Sequence, residues 1–176
     1  MIKLFIEPGY NVKPPVRDYG NAGIDFFIPE YSDAFVDAFN AKNLPDKAFL
    51  TTDNQGVTVI CIKPHGRANI PSGIRSFISH NVALEAQNKS GIATKHGLVY
   101  GASVVDANYQ GIIHISLINT TDMTINLPLG MKAVQFIPRL IDISPIEVYN
   151  NVSLDEFYKD FEFSNRGEGA FGSTGV

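Results

Sequence analysis

The apolar residues of this 176-residue chain occur in short runs that Pro, Gly, Asn or Asp interrupts. Within the runs, apolar residues alternate with small or polar ones, as expected of half-buried strands. The pattern predicts strands over residues 2–6, 24–28, 57–63, 67–70, 74–78, 82–86, 112–118, 124–127, 133–137 and 146–149. Many short strands separated by turns indicate an all-β barrel or sandwich.

Helical spacing occurs in two places. Between residues 31 and 43 the apolar positions are Ala34, Phe35, Ala38 and Phe39. Either Ser32 or Asp33 is placed to cap this helix. Residues 153–161 predict a second, brief helical turn with acidic residues near its start.

The composition limits the class of protein. The length suits one domain, and no Pro-, Gly- or Ser-rich linker divides it. The net charge is −4 with scattered basic residues, so a nucleic-acid partner is not expected, whereas a small anion needs only a local pocket of donors.

The single cysteine, Cys61, lies in a run predicted to be a buried strand. Without a leader or a bilayer-length apolar run, we expect a soluble cytoplasmic protein that does not enter a membrane.

Residues 97–118 predict a strand hairpin with a carboxylate at its centre. The acid is Asp106, and Tyr109 follows it three residues later. Strands tolerate Asp poorly, so Asp106 is expected either to form a turn hydrogen bond or to have a chemical role.

The C-terminal residues 166–175 are rich in glycine, so backbone N–H groups there can surround an anion. Ser173 and Thr174 add hydroxyls, Arg166 adds a planar fork of donors, and Phe171 offers a flat face for a base or sugar. The alternative is a flexible Gly- and Ser-rich tail.

Residues 88–97 are a third candidate segment, a small, donor-rich turn at which a helix can begin. A helix that begins near Ser90 would favour an anion there, with Lys89 as a point charge, whereas the alternative is an ordinary Ser cap. The four histidines, which are His65, His80, His96 and His114, have no recognised metal-ligand spacing. Walker, dinucleotide-binding and nucleophile-elbow motifs are absent from the sequence.

Five segments in this order resemble the motifs of the trimeric dUTPases, which hydrolyse dUTP to dUMP and pyrophosphate and so limit uracil incorporation into DNA. The segments are residues 22–26 (AGIDF), 89–93 (KSGIA), 104–111 (VVDANYQG), 130–135 (GMKAVQ) and 166–175 (RGEGAFGSTG). The resemblance implies a distorted jelly-roll β-barrel domain over residues 1–165, with an insertion at about 31–56. It also implies a homotrimer, in which a Gly-rich arm over residues 166–176 closes a neighbouring subunit's active site.

The resemblance also implies roles for individual residues. Asp106 would activate the water that attacks the α-phosphorus, and Tyr109 would lie against the deoxyribose. Asp25 would be near the sugar or metal waters, or be structural. Mg²⁺ would be held by substrate phosphates and water, with no direct protein ligand. The remaining substrate-binding residues would be Lys89, Ser90, Gly91 and Gln135 at the phosphates, Ala102, Val104 and Val105 at uracil through their backbone, and Arg166, Phe171, Gly172, Ser173 and Thr174 in the arm.

The chain departs from the family pattern at several positions. Lys89 replaces a usual Arg, Ser103 a usual Gly, and Asn108 a usual acid, while Met131 and Lys132 replace an acidic and basic pair. These changes concern base specificity more than catalysis, so a diphosphatase or deaminase for another pyrimidine deoxynucleotide is an alternative. A non-catalytic, nucleotide-sensing regulatory trimer is another.

The insertion at 31–56 has two interpretations of its own. Phe35 and Phe39 either pack on the barrel or dock a partner protein.

Overall fold

The computed structural model describes residues 1–159, in which twelve strands and three helices form. The strands are β1 (Ile2–Ile6), β2 (Ile24–Phe27), β3 (Ala48–Thr52), β4 (Thr58–Ile62), β5 (Arg67–Pro71), β6 (Ile74–Ile78), β7 (Val82–Asn88), β8 (Leu98–Tyr100), β9 (Val104–Val105), β10 (His114–Asn119), β11 (Ile125–Pro128) and β12 (Lys132–Leu140). The helices are α1 (Asp33–Lys42), α2 (Ser90–His96) and α3 (Leu154–Phe157). Every one of these helices is too short to span a bilayer.

The strands form four antiparallel sheets with the orders β1-β6, β5-β10-β8, β11-β4-β3 and β2-β12-β7-β9. The predicted all-β class is therefore confirmed. The hydrogen-bonded ladders of the described residues do not join into one closed barrel. The chain divides into two compact units, Met1–Asp142 and Ile143–Val176, and all four sheets belong to the first.

Alternating side chains from the four sheets form the core. Phe26 on β2 and Phe136 on β12 are fully buried and pack edge to face with ring centroids 4.7 Å apart. Cys61 is buried in β4, as predicted, and this burial raises the pKa of its thiol.

Residues 31–56, the predicted insertion, pack into this core. Ser32 caps α1, because its hydroxyl accepts a hydrogen bond from the Phe35 N–H at 3.3 Å. Phe35 and Phe39 are both fully buried, so they are core residues. The hypothesis that these two rings dock a partner protein is therefore wrong. The Asn43 side chain fastens the end of α1 to β5, since it exchanges hydrogen bonds of 2.7 and 3.0 Å with the backbone of Asn69.

Residues 31–56 also contain strand β3, which the sequence pattern did not predict. Only Ala48, Phe49 and Leu50 are apolar there, and the strand exists because it pairs along its whole length with β4. Every predicted strand but one is confirmed, with ends shifted by at most three residues. The exception is residues 146–149, which form no strand. Ile146 and Val148 are 89% and 83% exposed, and the described residues provide no strand to pair with them.

Candidate active site

Strands β2, β12 and β7 bring the first, second and fourth motif segments together. In the antiparallel register, Gln135 of β12 lies opposite Asp25 of β2 on one side and Gln87 of β7 on the other. Since β7 ends at Asn88, the turn that begins with Lys89 emerges beside both neighbouring strands. Sequence segments more than sixty residues apart thereby share one edge of the sheet.

Asp25 lies between two lysines at this edge. Its Oδ1 accepts a hydrogen bond from Lys89 Nζ at 2.6 Å, and its Oδ2 lies 3.1 Å from Lys132 Nζ. Burial, which leaves the Asp25 side chain only 17% exposed, raises the pKa of this carboxyl. The hydrogen bonds and charges of the two lysines outweigh that effect, so the pKa of Asp25 is lower than usual. One carboxylate thus orients two ammonium groups and leaves an excess of positive charge.

A pocket of about 400 Å³ opens beside these lysines, and we call it the cationic pocket. It is lined by Lys89, Ser90, Gly91, Ile92, Lys95, His96, Met131, Lys132 and Gln135. Three lysines at one concave surface favour an anion, and the hydroxyl of Ser90 and the amide of Gln135 add neutral donors. The pocket therefore contains four predicted substrate-binding residues: Lys89, Ser90, Gly91 and Gln135.

Helix α2 begins at Ser90, but Ser90 does not cap it. The N-cap residue is Lys89, which makes no side-chain capping hydrogen bond. Within the described residues the Ser90 hydroxyl has no hydrogen-bond partner, and only its carbonyl is used, by the Thr94 hydroxyl at 2.6 Å. The ordinary Ser-cap interpretation is therefore wrong, and the hydroxyl is available to a ligand.

Contacts behind the cationic pocket hold its two walls together. Gln135 Nε2 donates to the Asn88 carbonyl at 3.4 Å, and Asn88 Oδ1 accepts from the Tyr100 N–H at 2.7 Å. Gly23 lies directly against the Gln135 side chain, where an added Cβ would be 2.8 Å from Oε1. The roles of Asn88, Gly23 and Lys132 were missed in the sequence. The only signal was their position inside or beside the motif segments.

Residues 97–118 form a more complicated structure than the predicted hairpin. Strands β8 and β10 do pair with each other, with Tyr100 opposite Leu117. Between them, however, β9 pairs with β7 instead, with Val105 opposite Leu84, and the Ala86 N–H donates to the Ser103 carbonyl at 2.7 Å. The prediction of a simple hairpin over residues 97–118 is therefore wrong, because the segment between β8 and β10 forms its backbone hydrogen bonds with a strand of another sheet.

Asp106 lies directly after β9 at the start of a turn. The Tyr109 N–H donates to the Asp106 carbonyl at 3.1 Å, so the turn uses the backbone of Asp106. Its carboxylate is exposed and has no hydrogen-bond partner within the described residues. Of the two predicted explanations, a turn hydrogen bond therefore does not account for the carboxylate.

The residues around Asp106 present both backbone and side chains to solvent. Ala102 and Val104 are exposed, whereas the Val105 side chain is buried and leaves only its backbone available. Tyr109 is 41% exposed, and its hydroxyl donates to the Ile112 carbonyl at 3.0 Å. This hydrogen bond places the Tyr109 ring across the turn.

Asp106 and the cationic pocket lie toward opposite ends of β7. Val105 is level with Leu84, and Asp106 continues away from the pocket. Lys89 is five residues beyond Leu84 in the other direction, which is about 16 Å along an extended strand. Asp106 and the cationic pocket of this chain are therefore well separated along β7.

The remaining predicted site residues are Arg166, Phe171, Gly172, Ser173 and Thr174, and they lie outside the described residues. Of the histidines, His65 contacts Asp122 at 2.9 Å, and burial lowers the pKa of His114. Across residues 1–159, no group of three or more His, Cys, Asp and Glu side chains is arranged to hold a metal ion.

The fold and the cationic pocket together define an all-β protein with a candidate site for a phosphate-bearing ligand. The family model described as dUTPase matches residues 57–175, and the chain belongs to the dUTPase family. The deoxyuridine 5'-triphosphate nucleotidohydrolase of Chlamydia trachomatis is 34% identical over 118 residues, which cover 66% of this chain and 76% of that protein.

Solved dUTPase structures share the fold. A dUTPase of Staphylococcus bacteriophage 80alpha, determined with dUPNHPP, matches with a TM-score of 0.72 and 18% identity, over 100% of this chain and 99% of the other. A mutant of the dUTPase from phage phi11 of S. aureus matches with a TM-score of 0.63 and 16% identity, over 86% of this chain and 98% of the other. That second structure is described as showing the coordination of a structural Mg(II) ion.

Proposed function

We propose that this protein hydrolyses dUTP to dUMP and pyrophosphate. Membership of the dUTPase family supports the reaction. The observation that carries the proposal is the cationic pocket, because two separate motif segments of that family meet there around an excess of positive charge. The pocket volume of about 400 Å³ is adequate for a triphosphate chain but leaves the rest of a nucleotide to other surfaces.

The triphosphate occupies the cationic pocket in this proposal. Lys89 supplies a point charge, and the Ser90 hydroxyl, the Gly91 backbone and the Gln135 amide donate hydrogen bonds to phosphate oxygens. Asp25 acts from behind by orienting Lys89 and Lys132. The lysines are thereby fixed before the substrate arrives, which reduces the entropy lost on binding.

Asp106 acts as the general base. Its carboxylate takes a proton from a water molecule as that water attacks the α-phosphorus, and pyrophosphate leaves from the opposite side. An exposed carboxylate without a partner in the described residues suits this role, since no competing hydrogen bond must be broken.

The complete site is proposed to form between subunits of a homotrimer. The separation of Asp106 from the cationic pocket along β7 supports this assembly, because a neighbouring subunit must supply the missing half. Residues 166–176 are proposed to be the arm that closes the site, with Arg166 at the terminal phosphate, Phe171 over uracil, and Gly172, Ser173 and Thr174 around the phosphates.

The loop around Asp106 is proposed to recognise the nucleoside. The backbone of Ala102, Val104 and Val105 pairs with uracil, and the Tyr109 ring packs against the deoxyribose where a 2'-hydroxyl would otherwise fit. Recognition of uracil by backbone groups rejects cytosine by leaving buried hydrogen-bonding groups unpaired.

The residues present fit a Mg²⁺ ion that arrives with the substrate. Both Asp25 oxygens are engaged by lysines, so this carboxylate is not free to be a metal ligand. Substrate phosphates and water are therefore the ligands that we propose. When bound, the ion supplies charge neutralisation to the phosphate oxygens.

Pyrophosphate release from dUTP, dTTP, dCTP, UTP and modified pyrimidine triphosphates tests the proposal. We expect dUTP to be preferred and Asp106→Asn to be nearly inactive, with Asp37→Asn on the exposed face of α1 as the matched control. Preference for another pyrimidine would indicate that Ser103, Asn108 and Met131 have changed the base specificity. Binding of dUTP without hydrolysis would instead support the regulatory alternative. The cytoplasmic location remains a prediction.

A further inference from the structure

The side chain of Arg75 contacts the loop that follows Asp106. Arg75 belongs to β6, and its Nη1 donates to the Gln110 carbonyl at 2.6 Å. Within the described residues, this is the one side-chain hydrogen bond that another element makes to residues 106–111. The remaining bonds of this loop are internal to the segment that begins at Asp106.

Glu7 holds the Arg75 guanidinium in place. Arg75 Nε and Nη2 donate to the two Glu7 carboxylate oxygens at 2.5 and 3.3 Å, while the Glu7 N–H donates to the Gly73 carbonyl at 2.8 Å. The bidentate geometry fixes the plane of the guanidinium. Glu7, which directly follows β1, thereby orients the third donor of Arg75, Nη1, toward the Gln110 carbonyl.

The position of Arg75 also relates it to Tyr109. The Ile113 N–H donates to the Ile74 carbonyl at 2.8 Å, so the loop exit is bound to β6 next to Arg75. The hydrogen bonds that Arg75 donates to Glu7 are the main reason why the pKa of Arg75 is raised. Because Gln110 directly follows Tyr109 in the chain, Arg75 holds the backbone beside Tyr109 in place.

We propose that Arg75, held by Glu7, is a positioning residue that fixes Tyr109 and thereby sets the discrimination between deoxyribose and ribose. The inference rests on the proposed function, in which Tyr109 packs against the sugar. A ring excludes a hydroxyl group only if it cannot move aside, and a displacement of about 1 Å is sufficient to change the fit. The hydrogen bond from Arg75 to the Gln110 carbonyl restrains the backbone next to Tyr109 and so opposes that displacement.

The test compares kcat/KM for dUTP and UTP in Arg75→Met, Arg75→Lys and Glu7→Gln. We expect the dUTP to UTP ratio to fall about tenfold in Arg75→Met. Arg75→Lys should recover part of the ratio, because it keeps the charge but loses the fork. Arg67→Met is the matched control, since Arg67 is an exposed strand arginine without a side-chain hydrogen bond in the described residues. Its ratio should not change.

Amide hydrogen exchange of the loop gives a readout independent of activity. The Tyr109 amide should exchange faster in Arg75→Met and in Glu7→Gln than in the wild type. Unchanged exchange, or an equal loss of kcat/KM for both nucleotides, would overturn the inference. If the wild type releases no pyrophosphate from dUTP, the proposed function itself fails, and the role in sugar discrimination fails with it. Glu7→Gln keeps the test valid if Arg75→Met does not fold.

Discussion

The Asp25 carboxylate accepts a hydrogen bond from the Lys89 ammonium at 2.6 Å, and this contact joins β2 to the turn that follows β7. Lys132 engages the second oxygen of the same carboxylate. Lys89 offers a compact ammonium group, and not a planar fork of donors, to a ligand of the cationic pocket. One acid thus orients two lysines of the cationic pocket.

Acidification should reveal the contribution of Asp25 to stability. Because its pKa is lower in the folded protein than the ordinary value of 3.8, its pairing stabilises the fold above that value. The contribution is lost as the pH falls through the lower folded-state pKa. We expect Asp25→Asn to lower Tm at pH 7 and to flatten the decline of Tm below pH 4. Asp37→Asn, on the exposed face of α1 and without a side-chain hydrogen bond in the described residues, is the control and should change Tm little. Parallel profiles for Asp25→Asn and the wild type would contradict this account.

Lys89→Arg should strengthen phosphate binding. Arginine can place two donors on one phosphate group, whereas lysine offers a single point contact. We expect KM for dUTP to fall by about threefold to tenfold with little change in kcat. Lys42→Arg on α1 is the control, because Lys42 is exposed and lies outside the cationic pocket. A higher KM would indicate that the larger side chain disturbs Asp25 more than it helps the phosphate.

Mixing two inactive variants should restore activity if subunits share sites. We expect Asp106→Asn and Ser90→Val to be nearly inactive alone. After the two are unfolded together and refolded in equal amounts, about a quarter of the sites combine an intact Asp106 from one subunit with an intact cationic pocket from another. The measurement is dUTP turnover before and after mixing. A site built within one subunit would show no recovery, and variants refolded separately and then assayed together provide the baseline.

Gly23→Ala should impair phosphate binding. The new Cβ would lie 2.8 Å from Gln135 Oε1 and 3.0 Å from Gln135 Cβ, so the side chain must move. Gln135 would then lose its hydrogen bond to Asn88 and its place in the cationic pocket. We expect KM for dUTP to rise by about tenfold while Tm changes little. Ala22→Ser, at the exposed neighbouring position, should have neither effect. Normal KM in Gly23→Ala would mean that Gln135 is not needed at the phosphates.

Local patterns predicted most of the strands and α1, because alternation and helical spacing report which face a residue buries. Phe35 and Phe39 illustrate this, since their spacing alone indicates one buried face. The same patterns failed at residues 146–149, where alternation is present but the described residues offer no pairing strand. They also missed β3, whose strand character comes from β4.

The geometry of the site depended on contacts distant in sequence. The pairing of β9 with β7 separates Asp106 from the cationic pocket, and no local feature of either segment specifies that register. Arg75 and Glu7 are 68 positions apart, and neither belongs to a motif segment. The kinds of side chain in the candidate site could be predicted from the sequence. The separation of Asp106 from the cationic pocket, and the contacts of Arg75 and Glu7, could be read only from the fold.

Strand β7 ends at the turn that lines the cationic pocket, and its opposite end lies beside the loop of Asp106. In the proposed trimer, one copy of this strand serves two different sites, one through each end. A subunit altered at both ends would therefore inactivate two of the three sites of any assembly it joins. Such a chain, expressed with the normal one, would act as a dominant inhibitor in a cell.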